Sequence, residues 1–505
     1  MRSTDILEKL HNIDRECWLI SRSISVLEWD QDTYLPENAV EERSEQLGLL
    51  GGISQDIKTN PEIGRLLSEL GSSSENMSGD EKLPVLEQNF LKIMRRKYDQ
   101  AIKLPRDFGC ELAKARGLSQ AAWIRAKQNN DFAAFLPHLK KMVDFSRQKA
   151  FHLGYEKEPY NGLLDYYEKG MSAEAISDVF IPLKNNLKSF LKKIKILPRP
   201  DTSFLKKVYN IENQDNFSRD LLKRLGFNSK RGRLDISAHP FTSTLGSDDV
   251  RITTRYLSQY VQSGIFATIH EAGHAFYEMG FPEEIRLSCL ADGPSMGIHE
   301  SQSRLWENVI GRSLPFWEGM FPVLRSYFPG ALSSTTAEDF YRAINLVEPS
   351  LIRIEADEVS YSLHIILRFE LEKEIISGTL DPAELPDAWR RKMNEYLGIE
   401  PDNDVQGVLQ DVHWSTGAFG YFPSYALGNI YGLQFWEKLT SEIPNLSEQI
   451  CRGNFSPIHS WLQDNIYIWG SRLDPPDLLK TVTGKGLSAE PFLGYIESKY
   501  KDIYK

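Results

Sequence analysis

Five residues in the middle of the chain, His270-Glu271-Ala272-Gly273-His274, constrain this sequence more than any other stretch. No proline occurs between Pro240 and Pro282, so one helix can run through them without a break. On a helix, residues four apart stand one turn above each other on the same face. His270 and His274 therefore offer two imidazoles to one point, as two of the four positions around a tetrahedral zinc require. Glu271 lies a step round the helix, where its carboxylate reaches water at the metal rather than the metal. That is the H-E-x-x-H arrangement, in which the glutamate is the general base of a hydrolysis. Two histidines on an ordinary amphipathic helix would give the same spacing, so the reading requires a third ligand.

Six of the ten histidines, His239, His270, His274, His299, His364 and His413, fall between 239 and 413. The third ligand is best sought in His299-Glu300-Ser301-Gln302-Ser303. Gly280, Pro282, Gly293 and Gly297 let the chain turn back before it. Glu300, at the start of a helix predicted over 299–312, would complete a His₂Glu catalytic site and leave a fourth position for water. Glu307 is the rival ligand, on the same helical face. His299 could ligate, and is better suited to donate a hydrogen bond near the reacting centre.

Composition narrows the function. A net charge of −11 argues against a phosphate-backbone partner, which needs clustered excess lysine and arginine. No apolar run is long enough for a membrane span. Residues 1–12 include Asp5, Glu8 and Lys9 and no apolar stretch, unlike a secretory leader. Cys17, Cys110, Cys289 and Cys451 are scattered, which excludes a C-x-x-C zinc knuckle and points to a reducing, cytoplasmic setting.

The periodicity is mainly helical, over one catalytic domain spanning 1–505. Its N-terminal helical half covers about 1–230 and the metal and substrate motifs fall in 235–425. Helices are predicted over 4–53 with a break at Leu35-Pro36, over 85–115 and over 121–153. The last two are separated at Gly117-Leu118-Ser119, with Ser119 as N-cap. Asn161–Gly170 reads as a loop and Ser172 as the start of the next helix. Leu197-Pro198-Arg199-Pro200 is a break. Residues 234–242 and 250–254 are rich in β-branched side chains around a glycine turn, and predict a small antiparallel sheet beside the metal helix. Pro240 favours an edge strand there, suited to holding an extended peptide. A long helix is expected around 351–377.

Several further stretches look organised for binding. Arg353 and Asp357, four apart, would share one face of that long helix. Gln410, Asp411, His413 and Trp414 crowd into five positions. Gly417-Ala418-Phe419-Gly420-Tyr421-Phe422-Pro423 suits a lid, or a tyrosine aimed into a cleft. Asp249 and Arg251 share a strand face.

Taken together, these residues resemble the carboxypeptidase Taq family of metallocarboxypeptidases. The shared signatures are His-Pro-Phe at 239–241, Asp-x-Arg-x-Thr at 249–253, His-Glu-x-x-His at 270–274 and His-Glu-Ser-Gln at 299–302. Ile-Arg-x-x-Ala-Asp at 352–357 and Gly-x-x-Gln-Asp-x-His-Trp at 407–414 complete the set. Trp29-Asp30-Gln31 and Gly170-Met171 extend the likeness over essentially the whole chain.

The resemblance implies zinc, with cobalt able to substitute, held by His270, His274 and Glu300, and Glu271 as base. It implies that Arg353 anchors the substrate's C-terminal carboxylate and that Arg251 limits the far side of the cleft. It also implies a nearly all-helical fold with a deep central groove, and a homodimer. His239, His299, Gln410 and Asp411 are the remaining expected substrate-binding residues. His413 and Tyr421 are expected to stabilise the oxyanion, and Asp357 or Asp411 to orient the imidazoles. An endo-acting oligopeptidase of similar architecture would share the metal residues, and a silent binding protein would share the fold. An intact Glu271 argues against the latter.

Overall fold

A computed structural model describes residues 2–504. The chain is mainly helical, and one connected core of buried apolar side chains runs from Ile6 to Tyr504. Among the described residues no helix is long and apolar enough to cross a membrane, and all four cysteines are free.

The first two long helices, Ser3–Thr33 and Val40–Lys58, part at Leu35-Pro36 as the sequence predicts. The next break differs from the prediction. Helix Arg106–Asn129 runs straight through Gly117-Leu118-Ser119, and the interruptions fall at Leu104-Pro105 and at Asn130-Asp131, before helix Phe132–Leu153. Proline drives the residue before it out of the helical region, and Leu104 is extended, whereas Gly117 costs a helix only about 1 kcal/mol. The expected loop at 161–170 is largely the helix Pro159–Tyr167, started by a proline at its first position. Gly162 supports close packing rather than a turn: a Cβ there would meet the Gly154 carbonyl at 3.1 Å. Ser172 caps the following helix through the amide of Ala175, as predicted.

The small sheet is mixed rather than antiparallel. Strands β1 (Gly232–Ile236), β2 (Thr242–Gly246) and β3 (Asp249–Thr254) lie in the order β1-β3-β2. β2 runs antiparallel to β3, but β1 runs parallel to it. Pro240, which cannot donate to a ladder, lies in the connection between β1 and β2, outside both strands. β1 and β2 are both edge strands, and Arg22 of the first helix donates to the Thr244 carbonyl of β2 at 2.8 Å.

The expected helix over 351–377 begins later. Arg353–Glu355 is a single 3₁₀ turn, and the helix is Glu358–Ser377, capped by Asp357 through the amides of Val359 and Ser360. Arg353 and Asp357 therefore do not share a helix face.

Candidate active site

The motif lies on helix Val261–Met279, which β3 leads into. Glu300 lies within helix Met296–Arg304, which starts earlier than predicted because Ser295 caps it through the amide of Ile298. Two glycines bring the backbones together. A Cβ at Gly273 would sit 2.7 Å from Cα of Ser303, so the two helices touch main chain to main chain. A Cβ at Gly428, on helix Pro423–Glu442, would sit 2.6 Å from Cγ of Glu300.

His270, His274 and Glu300 converge, with one ligand atom of each within 4.8 Å of the others. Glu300 Oε2 lies 3.7 Å from His270 Nε2 and 3.5 Å from His274 Nε2. Tetrahedral zinc bonds of about 2.0–2.1 Å place ligand atoms about 3.3–3.5 Å apart, so the trio fits a divalent ion. The wiring behind it agrees. Glu307 Oε2 lies 2.9 Å from His270 Nδ1, which directs Nε2 inward. Thus Glu307, the rival ligand, stands behind the imidazole, and neither Asp357 nor Asp411 orients it. Helix Met296–Arg304 continues into a π-helical turn, Leu305–Ile310, that carries Glu307.

Charge is balanced locally. Arg304 Nε donates to Glu300 Oε1 at 2.7 Å and Arg312 Nη2 to Glu307 Oε1 at 3.1 Å. Against the penalty of burial, Arg304 and the two histidines hold the Glu300 carboxyl below the usual range. Likewise His270, Arg312 and Arg304 bring Glu307 down to about 2. Burial, helped by the neighbouring His299, pushes His274 down to about 4, so its imidazole is neutral, as a ligand must be. The His299 ring stacks on His274 at 4.6 Å and bonds Glu278 at 2.8 Å.

Burial raises the Glu271 carboxyl, with His270 and Thr242 pulling it back. Thr242 Oγ1 donates to Glu271 Oε2 at 2.6 Å and bridges to the Glu271 carbonyl at 3.0 Å. Thr242 opens β2, so the sheet positions the Glu271 carboxylate.

The second cluster gathers around Asp411. Its Oδ1 accepts from Arg353 Nε at 3.0 Å and Nη2 at 2.8 Å, and its Oδ2 accepts from Arg368 Nε at 2.7 Å. Gln410 is directed at main chain. Its Oε1 accepts from the Arg353 amide at 2.9 Å and its Nε2 donates to the carbonyls of Leu351, Gln406 and Gly407. His413 Nε2 lies 3.2 Å from the Tyr425 hydroxyl, and burial pushes its pKa down to about 4. The Tyr421 and Tyr425 rings pack at 5.1 Å; burial and then Glu300 raise Tyr421 to about 12, so the phenol keeps its proton. Apart from these, Arg251 pairs bidentately with Asp249 and lies 4.3 Å over the Trp29 ring. His239 is exposed in the β1–β2 connection.

Thr242, Arg304, Arg312, Glu278, Tyr425 and Arg368 are absent from the sequence reading. Arg304, four residues after Glu300, and Glu278, four after His274, left local signals on their helices. Thr242 and Arg368 arrive from distant elements.

Comparison with known proteins gives the family of the chain. Residues 9–500 match the family described as Carboxypeptidase Taq (M32) metallopeptidase. The chain is 41% identical to thermostable carboxypeptidase 1 of Thermus thermophilus, over 98% of each chain. It is 38% identical to carboxypeptidase 1 of Bacillus subtilis, over 96% of each. The crystal structure of an M32 carboxypeptidase from Deinococcus radiodurans superimposes with a TM-score of 0.95 at 37% identity, covering 99% of both chains. The chain belongs to the carboxypeptidase Taq (M32) metallopeptidases and is a metallocarboxypeptidase, a hydrolase of peptides.

Proposed function

We propose that the protein is a zinc carboxypeptidase, able to use cobalt, that releases single amino acids of broad identity from free peptide C-termini. The observation that carries this reading is the Arg353–Asp411–Arg368 cluster. Two guanidiniums face one carboxylate in a site where Arg353 is 8% and Arg368 0% exposed, leaving one buried positive charge in excess. A free C-terminal carboxylate would balance it, and an amidated terminus would not.

His270, His274 and Glu300 hold the metal. When bound, it acts as a Lewis acid toward the scissile carbonyl and brings a water's pKa toward neutrality. Glu271 Oε2 is held by Thr242, which leaves Oε1 to take the water's proton and later pass it to the leaving amine. Its raised pKa suits both transfers. Tyr421, and His413 through Tyr425, offer donors toward the oxyanion, because both phenols keep their protons. Arg251 and His239 lie on the sheet side, where Arg251 closes the far end of the substrate path. We assign the whole chain to one catalytic unit acting as a homodimer in the cytoplasm. The family resemblance supports the dimer, and the four free cysteines suit a reducing compartment.

The test is one N-blocked tripeptide, offered as free acid and as amide to the metal-loaded enzyme, with products followed by mass spectrometry. Loss of one C-terminal residue from the acid alone is expected. Equal cleavage of both would replace this reading with an endo-acting oligopeptidase.

A further inference from the structure

Asp411 divides its two oxygens between two arginines. Oδ1 accepts from Arg353, and Oδ2 accepts from Arg368 Nε; Arg368 Nη2 also lies 2.6 Å from Oδ2 without hydrogen-bond alignment. Arg368 is fully buried between the rings of Trp389 and Phe422, at 4.5 and 5.4 Å, and its Nη1 donates to the His364 carbonyl at 2.8 Å. It therefore has no path to substrate. Arg353 lies 5.0 Å over the Tyr425 ring, and its Nη1 has only a 3.3 Å bond to the Tyr361 hydroxyl.

The surrounding groups offset the excess charge only in part: burial raises the Glu372 carboxyl to about 7, which makes it a partial counter-charge to Arg368. Glu372, one helical turn beyond Arg368, directs its oxygens to the Tyr160 hydroxyl, Trp414 Nε1 and the Gly420 amide, each within 3.0 Å, and none to Arg368. His413, half-buried, and His364, buried, are held neutral chiefly by desolvation. Lys127, bonded to the Gln410 carbonyl, adds a further positive charge facing Asp411.

A lone Arg353–Asp411 pair would be neutral and would compete with an incoming carboxylate. We infer that Arg368 is a specificity-determining positioning residue: by occupying Asp411 Oδ2 it prevents Asp411 from neutralising Arg353, and so keeps Arg353 receptive to a peptide's terminal carboxylate. This rests on the proposed anchoring role of Arg353. It makes discrimination of acid from amide depend on a residue that never touches the ligand.

The probes are phenylpropionate and its amide, phenylpropanamide, as competitive inhibitors of the metal-loaded enzyme, with Arg368→Gln, Arg368→Lys and Arg368→Met. Each variant leaves a pairing for Asp411, so no buried carboxylate is stranded; circular dichroism and the unfolding midpoint check each fold. Removing the charge, in Gln or Met, should weaken the acid at least tenfold on the scale of a nearby buried charge, with the amide within twofold. For the free-acid tripeptide KM should rise more than kcat falls. Lysine, which restores the charge, should recover most of the affinity. Folded Gln and Met variants that still prefer the acid as strongly as the wild type would overturn the inference, as would equal weakening of acid and amide. A wild type that binds both probes equally would instead remove the Arg353 reading itself.

Discussion

Glu307 and Glu300 grip opposite nitrogens of one imidazole: Glu307 Oε2 lies 2.9 Å from His270 Nδ1, and Glu300 Oε2 lies 3.7 Å from Nε2. The first holds the proton on Nδ1, which leaves the Nε2 lone pair free for an ion shared with Glu300. Replacing Glu307 with glutamine lets His270 present either nitrogen. Metal affinity should fall about 10–100-fold, measured by competition with a chromophoric chelator. An unchanged dissociation constant would show that the ring is held by packing alone.

Thr242→Val removes the hydroxyl that donates to Glu271 Oε2. A carboxylate that loses a donor is less stable ionised, so its pKa rises further. The base is then protonated at a higher pH, and the acidic limb of the kcat/KM profile should move up by about one unit. Bound metal should stay stoichiometric, which separates this effect from loss of the ion. A limb that stays in place would deny Thr242 any part in tuning the base.

The Asp411 cluster predicts unequal costs for its members. Asp411→Asn leaves two buried guanidiniums with no counter-charge, and should destabilise the fold by about 3–5 kcal/mol. Arg353→Met leaves a neutral Arg368–Asp411 pair and should cost clearly less stability while abolishing acid-over-amide selectivity. Urea unfolding of both variants checks the order; equal losses would mean that packing, not charge, dominates.

Glu168 is wholly buried, and its Oε1 accepts from the Gly297 amide at 2.5 Å, next to the helix that carries Glu300. Burial raises its carboxyl from 4.5 to about 7, against hydrogen bonds from Ser424, Gly297 and Ser295. The folded state thus binds more protons than the unfolded state between those values. The sign follows: this group's contribution is fully present below about pH 4.5 and is lost as pH rises through about 7. Depressed carboxyls such as Glu300 and Asp411 act oppositely at lower pH, so the comparison must be with a variant. Glu168→Gln should therefore gain on the wild type by up to about 3 kcal/mol between pH 5 and 8. Parallel pH profiles of the unfolding free energy would contradict it.

The His270–His274 half of the candidate metal cluster could be located from sequence because both lie on one helix, where spacing fixes direction; Glu300 comes from the next helix and joins them in the fold. Their supports could not, because Thr242 reaches Glu271 through a crossover at Pro240, and Arg368 reaches Asp411 across 43 residues. The mixed sheet was missed for the same reason, since alternating β-branched residues give a strand but not its partner or direction. Arg353 was placed in a helix by its neighbours' pattern, whereas the Asp357 cap excludes it. Gly117 and Gly162 suggest breaks in the sequence, yet both lie inside helices, which tertiary packing readily allows.

The glycines that face Glu300 and Ser303 have a bearing on metal choice. With a methyl at Gly428 arriving 2.6 Å from Glu300 Cγ, and one at Gly273 arriving 2.7 Å from Ser303 Cα, the gauge of the cage is set by two main chains in contact and a third packed on the Glu300 side chain. Exchanging donor side chains can alter the chemistry offered to an ion, but not the span between the helices that bear them. A larger cation wanting six to eight oxygens at 2.3–2.6 Å would need the helices themselves to move apart, so the architecture favours small ions whichever residues occupy the ligand positions.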